Sequence, residues 1–285
     1  MKRVPERESA RPPRRVGATA PRAAGRAGLS RRPGPSPLFR FCFCVPALLV
    51  VLAAVVVALS VAAPWRSPVV AKKSPSPTDR ALLDAAQHGD VAAVRAALAA
   101  GADREARDEQ GRTPLLRAAL ADEPAVAEVL VGAGADVNAQ DDRSDSPWLV
   151  TGVTGSVAMM RALLPGGPDL TLTNRYGGVS VIPASERGHV AYVRAVLAET
   201  DIDVNHVNRL GWTALLEAVI LGDGGRTHQE VVEVLLAAGA DPLLPDAEGT
   251  TARAHAERRG FRAIAEVLRE AEIRTDPERG GTGRP

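Results

Sequence analysis

Between residues 78 and 271 the apolar positions fall in short bursts at helical spacing, and the bursts come in pairs. Leu115, Ala118 and Ala119 form one small apolar face. Val126, Val129 and Leu130 form a second. Polar residues punctuate them. Asp108 and Gly111 suit a tight turn, Asp by bonding its own backbone and Gly by tolerating positive φ. Thr113 offers an N-cap, Pro114 suits the first helical position, and Gly134 suits the helix end. Two short one-sided helices cannot cover both their faces, so such a unit must stack on copies of itself.

The copies are present. Asp103, Asp136, Asp169, Asp203 and Asp241 recur at spacings of 33, 33, 34 and 38. Gly111, Ser144, Gly177, Gly211 and Gly249 recur at the same spacings, each preceded three residues earlier by Asp108, Asp141, Asn174, Asn208 or Asp246. Gly-Arg-Thr-Pro-Leu at 111–115, Gly-Ala-Asp-Val-Asn at 134–138, Gly-Trp-Thr-Ala-Leu-Leu-Glu-Ala at 211–218 and Gly188-His189 resemble the ankyrin-repeat family. The resemblance covers about Thr78 to Ala271. It implies an all-α solenoid of about six helix-turn-helix units with β-turn fingers, whose members differ mainly in what they bind. Leu116, Leu149, Ile182 and Leu216 stand where the family often has His, which marks a divergent member.

Some units depart from the pattern. Arg80 to Asp103 has a helix pair without a preceding finger, as an N-terminal cap should. In the third unit Ser146-Pro147 keeps the cap chemistry, but Gly152 and Gly155 weaken the first helix. In the fourth, Val179-Ser180 replaces Thr-Pro and Pro183 falls inside the first helix, which is expected to be short, late-starting or bent. The fifth is five residues longer, with the excess at Gly222 to Thr227 between its helices. The last pair, from Thr251 to Ala271, caps the array, and residues 272–285 are expected to fray.

Charge divides the chain. Residues 1–40 hold 11 Lys and Arg against two Glu and lack the large apolar residues needed to fold, so they read as a disordered basic tail. Residues 41–63 are 23 residues without a charge, long enough to span a bilayer. With the basic flank held inside, they predict a signal anchor that leaves the repeats outside the cytoplasmic membrane. The alternative is a cleaved signal, with small residues at Ser60-Val61-Ala62 and Val69-Val70-Ala71, and secretion. Residues 64–77 read as a Pro- and Ser-rich linker. From residue 64 onward, 24 basic residues face 32 acidic ones. That balance and the scarcity of aromatics argue against nucleic acid as the partner. Cys42 and Cys44 both lie in the apolar stretch, so the repeats need no disulfide.

No nucleophile–base pair, phosphate loop or metal-spaced cluster stands out, and no cofactor is implied. The expected function is non-enzymatic: a monomeric array binding a protein or peptide in its groove. Stacked fingers would present Arg107, Glu109, Arg112, Asp142, Arg143, Arg175, Tyr176 and Arg209. The long fifth unit adds Trp212, Glu217, Asp223 and His228, with Glu217 at a position the resemblance turns toward the groove. The plain alternative there is that Trp212 covers the neighbouring unit and the Gly-rich insertion is a solvated loop. Two rival functions remain. One is a small-molecule or metal-dependent protein using the Trp212–His228 region, with His206, Glu217 and His228 converging. The other is a structural envelope protein. His88 and His189, beside Gly at the helix–helix turn, read as structural, and His255 as a surface residue.

Overall fold

In the computed structural model the described residues are 74–276; residues 1–73, with the apolar segment 41–63, and residues 277–285 lie outside them. Among the described residues are twelve α-helices, one 3-10 turn and no strand. The helices pair in chain order: α1 (Pro77–Gln87) with α2 (Val91–Ala99), α3 (Pro114–Ala121) with α4 (Pro124–Gly132), and α5 (Pro147–Thr154) with α6 (Val157–Leu163). Then come α7 (Val181–Glu186) with α8 (Val190–Glu199), α9 (Ala214–Ile220) with α10 (Arg226–Ala237), and α11 (Ala252–Arg259) with α12 (Arg262–Thr275). First helices pack on first helices and second on second, giving two layers. One core runs between them, from Leu82 and Val94 through Leu116, Leu130, Met160, Ile182, Val196, Leu216 and Leu235 to Ile264 and Leu268. Among the described residues no helix is long and apolar enough to cross a membrane.

The helix starts follow the expected chemistry. Ser76, Thr113, Ser146, Thr213 and Thr251 each accept a backbone N–H from the first turn of the helix they precede. Ser76 also forms a capping box with Asp79, so the array begins just ahead of the expected Thr78 boundary. Helix α7 has no side-chain cap and only six residues, in line with the short, late start expected there. Pro183 falls in its first turn, where a missing N–H costs no helical bond.

Four features differ from the sequence reading. Gly152 is not merely a weak helix former: a Cβ built on it would lie 1.8 Å from the Ser180 carbonyl oxygen, so α5 and the start of the fourth unit approach through this glycine. Gly155 terminates α5 in the left-handed region at φ +73°, which is useful there rather than weakening. At the far end, α12 continues past Ala271 to Thr275, because Glu272 is buried and Arg253 Nε donates to its Oε2 at 2.7 Å. The insertion in the fifth unit divides: Leu221 to Gly225 form the connection, while Arg226 and Thr227 open α10.

Candidate binding face

Each finger is built by one side chain. Oδ1 of Asp108, Asp141, Asn174, Asn208 and Asp246 accepts the backbone N–H groups two and four residues on, at 2.8–3.1 Å in all five fingers. That closes the turn without any partner outside it. The turn needs positive φ at its fourth residue; Gly supplies this four times, and Ser144 is held there at φ +61°.

The first four fingers are tied each to the next. Asp142 N donates to Gln110 O at 3.1 Å, and Arg209 N to Tyr176 O at 2.9 Å. Arg107 Nη1 reaches Gln140 O at 2.6 Å, and Gln140 Nε2 reaches Thr173 O at 2.8 Å. Below the fingers, Asp136, Asp169 and Asp241 each donate their N–H to a side chain one unit earlier, on Glu105, Asn138 and Asn205. A model of three ankyrin repeats matches residues 68–141 and 150–246. The chain belongs to the ankyrin-repeat family.

Similar proteins agree in fold and extent. The ankyrin repeat protein YahD of Escherichia coli (strain K12) is 43% identical over 186 residues, 65% of this chain and 92% of YahD. The crystal structure of an ankyrin repeat domain from Acinetobacter baumannii AYE superposes with a TM-score of 0.64 at 47% identity, over 67% of this chain and 96% of that one. The ankyrin repeat protein EF0377 gives 0.65 at 36% identity, over 67% and 98%. These comparisons support an interaction scaffold, and no catalytic family is indicated.

The ankyrin fingers place the sequence candidates in two groups. Exposed at or near the tips are Arg143, Tyr176 and Arg209. Arg175 lies beside them, its guanidinium 4.5 Å from the Tyr176 ring centroid and its Nη1 3.3 Å from Asp145 Oδ2. Arg112 is half-buried and turned back into its own finger, donating to Asp108 Oδ2 and Gln110 Oε1 at 2.8 Å.

The remaining candidates lie in the fifth unit, and of them Asp223 alone is exposed. Trp212 is half-buried against the core. Glu217 is buried, not presented in the groove; its Oε1 accepts Asn208 Nδ2 at 2.7 Å and so braces the fourth finger from α9. Burial, with the nearby Glu186 charge, pushes its carboxyl up to about 7 against the opposing bond from Asn208. His228 is the wedge of the fifth unit. Its Nε2 donates to Glu186 O at 2.9 Å, and its Nδ1 lies 2.8 Å from Asp223 Oδ1. The Gly225 N–H, together with His228, holds the Asp223 carboxyl below its usual range. His206 donates Nε2 to Gly177 O at 2.8 Å. So His206, Glu217 and His228 each have separate structural partners. Among the described residues no group of three His, Cys, Asp or Glu is arranged to hold a metal.

Sequence reasoning overlooked the residue nine after the anchor in three of the five fingers, on the first helix. Asn208 meets Glu217 there, and Asp246 meets His255, whose Nε2 lies 2.6 Å from Asp246 Oδ2, so His255 is not simply a surface residue. Burial raises the Asp246 carboxyl, but the N–H of Thr250 and the His255 contact outweigh it and leave it lowered. At Asp108 the ninth residue is Arg117, with Nε 3.9 Å from Asp108 Oδ2 and Nη1 3.3 Å from Asp84 Oδ1. The complementary pairing at a fixed offset was readable in the sequence. Also overlooked were Leu210 and Val207, 53% and 51% exposed, much as Tyr176 is at 54%.

Proposed function

We propose that this chain is a non-enzymatic scaffold that holds a partner protein or peptide against the concave face made by its fingers and first helices. One observation carries the reading: the fingers are hydrogen-bonded to one another, yet Arg143, Tyr176, Arg209 and Leu210 remain exposed along them. A surface already fixed in place loses little conformational entropy when a partner binds, so a few arginine and aromatic contacts suffice. We place the array outside the cytoplasmic membrane, as a single chain. The support is the uncharged run 41–63 behind a basic tail.

A photoreactive amino acid at position 143, 176 or 210 tests the binding face, with position 95 or 233 on the second helices as the control. Discrete cross-linked products from the finger positions alone are expected. Equal products from both faces, or none from the fingers, overturn the reading. Protease access to a C-terminal tag on intact cells tests display: an inaccessible tag, with no released product, excludes it.

A further inference from the structure

The five fingers are alike in geometry and unlike in charge. The first, second and fifth are anchored by Asp108, Asp141 and Asp246 and carry further carboxylates at Glu109, Asp142 and Glu248. The third and fourth are anchored by Asn174 and Asn208, continue with Arg175 and Arg209, and end in apolar tips, Tyr176 and Leu210. Residues 174–178 and 207–212 contain no Asp or Glu. The turn does not require this change. Oδ1 of either Asn accepts the same two backbone N–H groups that an Asp accepts elsewhere. At Asn208 the amide also donates Nδ2 to Glu217 Oε1, which an Asp could not do; at both positions Asn removes a charge, and it does so at two adjacent fingers only.

These two fingers are also joined. Arg209 donates its backbone N–H to Tyr176 O at 2.9 Å and its Nη1 to Arg175 O at 2.8 Å. Tyr176 and Leu210, each more than half exposed, therefore lie on a fixed pair of turns edged by two guanidinium groups, and the similarly exposed Val207 directly precedes the second turn.

We propose that the third and fourth fingers form a clasp for a short peptide segment carrying an aromatic or large aliphatic side chain between carboxylates. The proposal rests on the scaffold reading above and names the chemistry of its partner. The apolar side chain covers Tyr176 and Leu210, and the flanking carboxylates meet Arg175 and Arg209, whose forked donors match a carboxylate's two oxygens. The carboxylates on either side limit the length of the ligand. A nucleic acid strand or an anionic membrane would extend beyond two fingers and meet Asp142, Glu109 or Glu248, whereas a short acidic segment need not.

Panning a random-peptide phage library on the full chain tests this, with Arg175→Glu/Arg209→Glu and Tyr176→Ser/Leu210→Ser as comparators of matched melting temperature. The second pair guards against misfolding of the first, since Arg175 is paired with Asp145. Parent-selected peptides are expected to carry at least two Asp or Glu within three residues of an aromatic or Leu. They should bind each comparator at least tenfold more weakly, and the parent at least fivefold more weakly at 300 mM salt than at 50 mM. Enriched peptides without acids, undiminished binding to the comparators, or no enrichment overturn the clasp. So does co-sedimentation with phosphatidylglycerol vesicles that both comparators abolish. Finger cross-links together with non-acidic selected peptides would retire the clasp and leave the scaffold standing; missing cross-links would retire the scaffold itself.

Discussion

The second and fourth repeats occupy the same kind of place in the stack and are held there differently. The second is specified from within. Thr113 caps α3, Pro114 occupies its first position, and the Asp108 turn is closed by its own backbone. The fourth lacks the cap, and its first helix has six residues. It is positioned from outside: the Ser180 carbonyl sits over Gly152 of the third repeat, and the Tyr192 hydroxyl is 2.7 Å from Thr151 Oγ1. From the other side, His228 of the fifth repeat donates to the Glu186 carbonyl at the end of α7. A repeat can therefore lose its local signals and keep its shape, provided its neighbours supply the bonds. The cost is dependence on residues 28 to 42 positions away.

Two alanine substitutions test that contrast most sharply. Gly152→Ala forces backbone atoms apart at the border of the fourth repeat and should cost about 3 kcal/mol. Gly132→Ala, at the end of α4 in the second repeat, meets nothing within 4 Å and should gain about 0.5 kcal/mol. Urea denaturation gives both values, and similar losses at the two sites would break the comparison.

Glu217 probes the border between the fourth and fifth repeats, where Glu186 adds to its burial. The folded carboxyl is raised to about 7 from an ordinary 4.5, so the folded state holds this proton more tightly than the unfolded chain. Its stabilising contribution is whole below pH 4.5 and lost as pH rises through 7. Glu217→Gln keeps the acceptor for Asn208 and removes the charge. It should stabilise by about 2 kcal/mol at pH 8 and change little at pH 4. Equal shifts at both pH values would assign the effect to packing.

Tyr192→Phe removes one buried bond that ties the fourth repeat to the third. Thr151 Oγ1 already donates to Trp148 O at 2.6 Å, so the tyrosine is the donor in their contact. Burial pushes its hydroxyl up to about 12, so it keeps its proton throughout the physiological range. The variant should lose about 1.5 kcal/mol, and an unchanged melting temperature would show the link to be idle. In the second repeat Thr113→Ala deletes a local cap and should cost about 1 kcal/mol by the same assay. Last, Ser144→Gly relieves the left-handed serine of the second finger and should gain about 0.5 kcal/mol. A loss there would mean that the serine is held by something more than its turn.

The finger anchors and the first-helix caps were legible because each completes its hydrogen bonds within a few residues. Asp108 and Thr113 announce their roles to anyone reading the chain locally. The difference in charge among the fingers was equally open to view. Glu217, His228 and Gly152 were not legible in this way. Glu217 looked like a groove residue, His228 like part of a ligand site, and Gly152 like a defect in a helix.

The sequence by itself determined the repeat, the register of its helices and the charge each finger carries, since these follow from spacing and residue type. Only the tertiary structure decided which polar side chains are spent on neighbouring repeats and which remain for a partner. The partners of Gly152, Tyr192 and His228 lie 28 to 42 residues away, and stacking alone brings them together.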